Sequence, residues 1–119
     1  MSRIYLSGPI SNCPEYRRIF SAAQDLLESM GYDDIVNPAE LCRVVPNNYP
    51  YDKVMILCLD LLNECDAVLF LPNWQKSHGC GVEYGYAIAT DKITMEFEDF
   101  VKGGAFSDNS GDLCISRKG

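Results

Sequence analysis

Residues 66–87 constrain the fold of this chain more than any other stretch. Asp66 precedes the unbroken apolar run Ala67-Val68-Leu69-Phe70-Leu71. A run of that length without polar alternation suits a strand covered on both faces, as in a parallel sheet. Pro72 and Asn73 end it. Ser77, Gly79 and Gly81 then supply a hydroxyl and a backbone able to approach a ligand closely. The next helix is read as Gly81 to Thr90, which puts Glu83 in its first turn. In open α/β sheets, ligands bind just beyond the carboxyl end of a strand. A lone carboxylate there is either a nucleophile or base, or a complement to the helix dipole.

The rest of the chain fits around that unit. Arg3 to Leu6 reads as a short strand ending at Ser7-Gly8-Pro9-Ile10. Pro14 to Met30 reads as a helix, with Ile19, Phe20, Ala23, Leu26, Leu27 and Met30 on one apolar stripe. Pro14 suits its first turn and Gly31 its C-terminal cap. Asp34 to Asn37 is a second strand, stopped by Pro38. Ala39 to Tyr51 reads as a long loop, with at most a helical turn at Ala39 to Cys42. Asp52 to Glu64 is a helix apolar on most sides, which is either buried or shared with a partner subunit. Lys92 to Phe97 is a fourth strand. Beyond Glu98 the pattern fades, with Leu113 to Ile115 as a candidate fifth strand. The order β-α-β-α-β-α-β predicts an α/β fold: a doubly wound, flavodoxin-like parallel sheet of four to five strands with helices on both faces. Residues 1–119 are read as one domain.

Charge narrows the partners. Ten Lys and Arg against 17 Asp and Glu give a net charge of −7. That balance argues against a nucleic-acid polymer, which needs a basic footprint. A single nucleotide in a local pocket is still allowed. No apolar run reaches the roughly 20 residues of a membrane span. The first residues run straight into a strand with no signal-peptide core, so the expected location is cytoplasmic. The six cysteines contain no CxxC spacing and read as buried free thiols. With a single histidine, a zinc site has no support.

Several residues carry two readings each. Ser7-Gly8 is either the ligand-facing first βα turn or a plain strand end. Tyr5 is a core tyrosine or a site residue. Arg17 and Arg18 lie early in the first helix, where one can reach an anion or both can be solvated. His78 is a proton carrier or a turn residue. Trp74 is a lid that stacks on a base or a surface anchor of its loop. Dinucleotide and triphosphate motifs are absent.

Three segments together resemble the nucleoside 2-deoxyribosyltransferase-like superfamily, in particular its small, often phage-encoded branch of unassigned function. They are Ile4-Tyr5-Leu6-Ser7-Gly8-Pro9-Ile10-Ser11, Val36-Asn37-Pro38-Ala39-Glu40-Leu41, and Cys65-Asp66-Ala67-Val68 through Trp74, Ser77, Gly79 and Glu83. The resemblance implies that Glu83 attacks the anomeric carbon of a ribose or deoxyribose, breaking the N-glycosidic bond and forming a glycosyl ester. It implies that Tyr5 orients this nucleophile. Ser7, Gly8, Pro9 and Ile10 would wrap the sugar or its phosphate, with Asn73, Trp74, Ser77 and Gly79 completing the substrate contacts. Serine rather than an acid at position 77 implies a 5′-monophosphate rather than a free nucleoside, since a carboxylate would repel the phosphate. Neither metal nor organic cofactor is implied, and a homodimer or higher oligomer is expected to complete the site.

One position departs from the family pattern. Cys58 stands eight residues before Asp66, where active members carry an aspartate that handles the leaving base. Asp60 lies about 200° around the helix and faces elsewhere. Cys58 therefore joins the candidate substrate contacts and also opens an alternative: a non-catalytic nucleotide-binding or sensor module of the same fold.

Overall fold

The structure, a computed structural model, describes residues 2–103. Its elements in chain order are β1 (Ile4–Ser7), α1 (Tyr16–Ser29), β2 (Ile35–Val36), α2 (Pro38–Val44), α3 (Tyr51–Asn63), β3 (Ala67–Phe70), a 3₁₀ turn (Trp74–Lys76), α4 (His78–Ala89), β4 (Ile93–Glu96) and α5 (Phe97–Gly103). The four strands form one parallel sheet in the order β2-β1-β3-β4. Those are the first four positions of a flavodoxin-like doubly wound sheet. The expected strand at Leu113 to Ile115 lies outside the described residues.

Side-chain alternation sorts the strands onto two cores. Ile4 and Leu6 of β1 and Ala67, Leu69 and Leu71 of the β3 segment point to one face. There they meet Phe20, Ala23 and Leu27 of α1, Ala39 of α2 and Phe100 of α5. Tyr5, Val68 and Phe70 point to the other face, against Cys58 and Leu62 of α3, Ala87 of α4, and Cys65 just before β3. Each fully buried leucine contributes roughly 1.5–3 kcal/mol. At the opposite end of the sheet from the site, Asp66 accepts the Arg3 backbone N–H at 2.9 Å, and the Arg3 guanidinium pairs with Asp34 at 3.1 Å.

Several boundaries shift by a residue or so from the sequence reading, and four differences are larger or bear on the site. First, α1 starts at Tyr16, two residues after Pro14, and ends as expected with Gly31 in the left-handed region at φ +100°. Second, the segment expected as a loop from Ala39 holds the helix α2. Asn37 caps it by accepting the Ala39 N–H at 3.0 Å, Pro38 sits at its first position, and Glu40 lies in its first turn. That combination is a full helix start signal, which outweighs the loop character of Pro46 and Pro50. Third, α4 begins at His78 rather than Gly81, because Ser77 rather than a glycine is its cap. Glu83 therefore lies in the second turn, not the first. Fourth, Phe97 opens α5 instead of closing β4, with Glu98 and Asp99 in the first turn. Among the described residues no helix is long and apolar enough to cross a membrane.

Candidate functional site

The sheet places its switch point between β1 and β3, because the chain winds to β2 on one side of β1 and to β3 and β4 on the other. A crevice outside the carboxyl ends of these strands is the expected ligand position. A cavity of about 400 Å³ lies there. Its wall includes Gly8 and Ile10 after β1, Pro38 and Cys42 of α2, Met55 and Cys58 of α3, and Ser77, Gly79, Cys80 and Glu83 of the α4 segment.

Glu83 is the buried acid of this cavity, with 6% of its surface exposed. Its position follows from the α4 stripe Cys80, Glu83 and Ala87, whose spacing of three and four residues turns one face of the helix to the sheet. Tyr5 Oη donates to Glu83 Oε2 at 2.6 Å, and Ser7 Oγ donates to Oε1 at 2.6 Å. Tyr5 and Ser7 are alternate residues of β1, so they share a face of the strand and stand side by side. Both are completely buried. They hold the carboxylate from behind, and neither forms the cavity wall. Ser7, expected on the sugar or phosphate, is instead a partner of Glu83.

Each carboxylate oxygen accepts one hydroxyl and retains a further lone pair. Burial pushes the Glu83 carboxyl above its ordinary range, and the Ser7 and Tyr5 hydroxyls pull it back toward the ionised form. Burial, reinforced by the Glu83 charge, holds the Tyr5 hydroxyl well above the ordinary tyrosine range. Tyr5 is therefore a permanent donor at neutral pH.

Three thiols surround this centre. Burial pushes the Cys58 thiol up to about 11, with the neighbouring Tyr5 hydroxyl opposing the rise. Burial also raises Cys80, which Ser7 and Ser77 oppose, and Cys42, which Arg17 opposes. All three are neutral thiols at pH 7, poor as nucleophiles and as acids. Sequence reasoning gives Cys42 and Cys80 no place in the site. The spacing of Cys80 to Glu83, one helical turn on a buried stripe, is the signal available for one of them.

Ser77 forms part of the cavity wall and caps α4 by accepting the Cys80 N–H at 3.3 Å. Gly79 also lies on the wall, and a Cβ there would come within 3.0 Å of the Tyr51 hydroxyl. The missing side chain is what lets Tyr51 close over the helix start. A Cβ at Gly8 would come within 2.9 Å of Leu71 Cδ1, so that glycine serves packing as well as the wall.

Other expected contacts fall elsewhere. Trp74 packs at a tilt against Phe70 and Tyr84, with ring centroids at 4.6 and 5.3 Å, and borders a separate cleft with Glu96 and Asp99. It is not a lid over Glu83, because the 3₁₀ turn directs it toward the β4 side of the sheet. Pro9 and Asn73 border a further cavity that meets the first at Ser11 and Ser77. Gly81 is exposed on the outer side of α4, where an added Cβ would meet open space. Arg18 pairs with Glu15, and Arg17 lies over the Tyr16 ring at 5.4 Å. His78 is exposed at the first position of α4.

No curated protein matches the chain significantly. One family does: its sequence pattern, described as a domain of unknown function (DUF4406), matches residues 2–95. That span takes in the Tyr5–Ser7–Glu83 centre and every residue named above on the wall of the cavity beside Glu83. The chain belongs to the DUF4406 family.

Proposed function

We propose that the protein cleaves, or transfers at, the N-glycosidic bond of a nucleoside 5′-monophosphate, as the resemblance to nucleoside 2-deoxyribosyltransferase-like proteins implies. The observation that carries this reading is the buried Glu83 carboxylate, held by two hydroxyls at 2.6 Å on the wall of a cavity at the sheet switch point. A Glu83 oxygen attacks the anomeric carbon as the C–N bond breaks. The bonding pair leaves with the base nitrogen, which takes a proton from solvent water. Water then attacks the same carbon, loses a proton and frees the sugar phosphate and Glu83. Tyr5 and Ser7 fix the carboxylate in one orientation, which lowers the entropic part of the barrier. Ser77 and the first N–H groups of α4 favour a phosphate at the cavity mouth.

The oligomer belongs to the same proposal. Ile56 and Leu61 of α3 and Val82 and Ile88 of α4 are exposed at 57, 38, 48 and 41%. These aliphatic side chains support a second copy packing on α3 and α4, with sedimentation of the purified chain as the check.

A second reading, a nucleotide-binding module without turnover, is favoured by one observation. Cys58 lines the cavity where an acid would be needed for the leaving base, and its thiol is held neutral up to about 11. The deciding experiment is incubation with a panel of nucleoside 5′-monophosphates, followed by chromatography for free base. Release of base that Glu83→Gln abolishes supports the enzyme. Tight binding without release supports the module. Cys58→Asp sharpens the choice, because it restores the acid on the cavity wall. The expected result is faster base release with some loss of melting temperature from the second buried carboxyl.

A further inference from the structure

The cavity beside Glu83 has no Lys, Arg or His among its described lining residues. A nucleotide seated there would find hydroxyls and helix N–H groups, but no cation for its phosphate. The cation lies next door. A second cavity of about 470 Å³ is bordered by Pro9, Asn12, Asn73 and Lys76, and it shares Ser11 and Ser77 with the first. Ser77 is the residue that the proposed function puts on the 5′-phosphate. The shared wall therefore lies where a nucleotide passes from its sugar to its phosphates.

Lys76 is the cationic residue of this second cavity, and it makes no ion pair among the described residues. Arg17, Lys53, Lys92 and Lys102 also make no ion pair among the described residues, so what distinguishes Lys76 is its place on the cavity wall. The chain carries 17 acids, yet none of those among the described residues borders the second cavity. Its other polar groups are the uncharged Ser11, Asn12, Asn73 and Ser77, with the thiol of Cys13. The volume also exceeds the need of one phosphate, since cavities of about 300–1,000 Å³ hold whole small ligands.

We propose that this second cavity binds the phosphate tail of the nucleotide, and that Lys76 makes the protein prefer a diphosphate or longer tail to a monophosphate. The inference rests on the reading that the first cavity takes the nucleoside. It changes that reading in one respect: the ligand extends past the 5′-monophosphate. A second negatively charged phosphate gains from Lys76 what the first gains from Ser77 and the α4 start.

The test is calorimetric titration of the 119-residue chain with a nucleoside, its monophosphate and its diphosphate across a panel of bases, and with inorganic phosphate and pyrophosphate. Wild type is expected to bind the diphosphate more tightly than the monophosphate. Lys76→Gln should weaken the diphosphate about five- to tenfold and leave the nucleoside within about twofold, the range for a solvent-exposed charge-assisted contact. Lys76→Glu should weaken it further. A wild type that prefers the monophosphate, or equal losses for nucleoside and diphosphate in Lys76→Gln, would overturn the proposal without touching Glu83. Pyrophosphate binding that depends on Lys76, with neither nucleoside, monophosphate nor diphosphate bound, would remove the proposed function and overturn this inference with it. Lys76 is exposed, and melting curves on the same preparations verify that both variants fold.

Discussion

The two faces of the sheet are built from the same strands to opposite ends. One face carries Ile4, Leu6, Leu69 and Leu71 against Phe20, Leu27 and Phe100, a cluster of hydrocarbon side chains. The other face carries Tyr5 and Ser7 of β1 against Cys58 of α3 and Glu83 of α4. Adjacent residues of one four-residue strand thus serve a hydrocarbon core and a hydroxyl-lined carboxylate. The difference lies in strand parity, since successive side chains leave opposite faces. A buried carboxylate opposes folding unless donors satisfy it, and the hydrocarbon face supplies the stability that lets the polar face hold one.

Glu83→Gln breaks the comparison most strongly on the polar face. Base release should fall at least ~10³-fold, as for loss of a covalent nucleophile. Its melting temperature should equal or exceed that of wild type, because a buried acid has been made neutral. Activity within tenfold of wild type would remove Glu83 from the nucleophile role.

Leu6→Ala is the counterpart on the hydrocarbon face. It leaves a cavity among fully buried neighbours and should cost about 2–5 kcal/mol in denaturant unfolding. Activity measured well below its midpoint should stay near wild type. A large activity loss in still-folded protein would show that the two faces are coupled through β1.

Tyr5→Phe sharpens the contrast within the polar face. It keeps the ring and removes the hydroxyl on Glu83 Oε2, for a stability cost of about 1 kcal/mol. That hydroxyl favours ionised Glu83, so its loss should move the acid limb of the rate profile to higher pH. A limb that stays in place would mean that another group sets it.

The smallest effect is a pH dependence of stability. Burial holds folded Glu83 above its ordinary value of 4.5, so folding favours the protonated form. This contribution is complete below the ordinary value and is lost as pH rises through the folded-state value. The difference in stability between Glu83→Gln and wild type should therefore grow with pH across that window. A constant difference would contradict the raised value.

Much of this architecture is legible along the chain. The apolar run Ala67 to Leu71, the stripe Phe20, Ala23, Leu27 and the cap at Gly31 each express a local preference that the fold keeps. The parallel order follows from the alternation of strands and helices, whereas Tyr5 beside Glu83 has no local signal and is expected only from the resemblance. The helix α2 escapes a sequence reading because Pro46 and Pro50 weight the segment toward loop, although Asn37-Pro38-Ala39-Glu40 is a start signal. Trp74 escapes one because a residue after a strand can turn either way, and the choice belongs to Phe70 and Tyr84 across the fold.

The sequence by itself determined the periodicities, the caps and the parity of β1, because these depend on neighbours within a few residues. Only the tertiary structure decided what meets across the chain. Tyr5 and Ser7 lie 78 and 76 residues from Glu83, and their hydrogen bonds exist only once β1 and α4 pack together. The same holds for the thiols of Cys42, Cys58 and Cys80, three helices' contributions to one wall. It holds also for the second cavity, where Lys76 meets the loop after β1. Contacts at such separations are set by packing of whole elements, and no window of residues contains both partners.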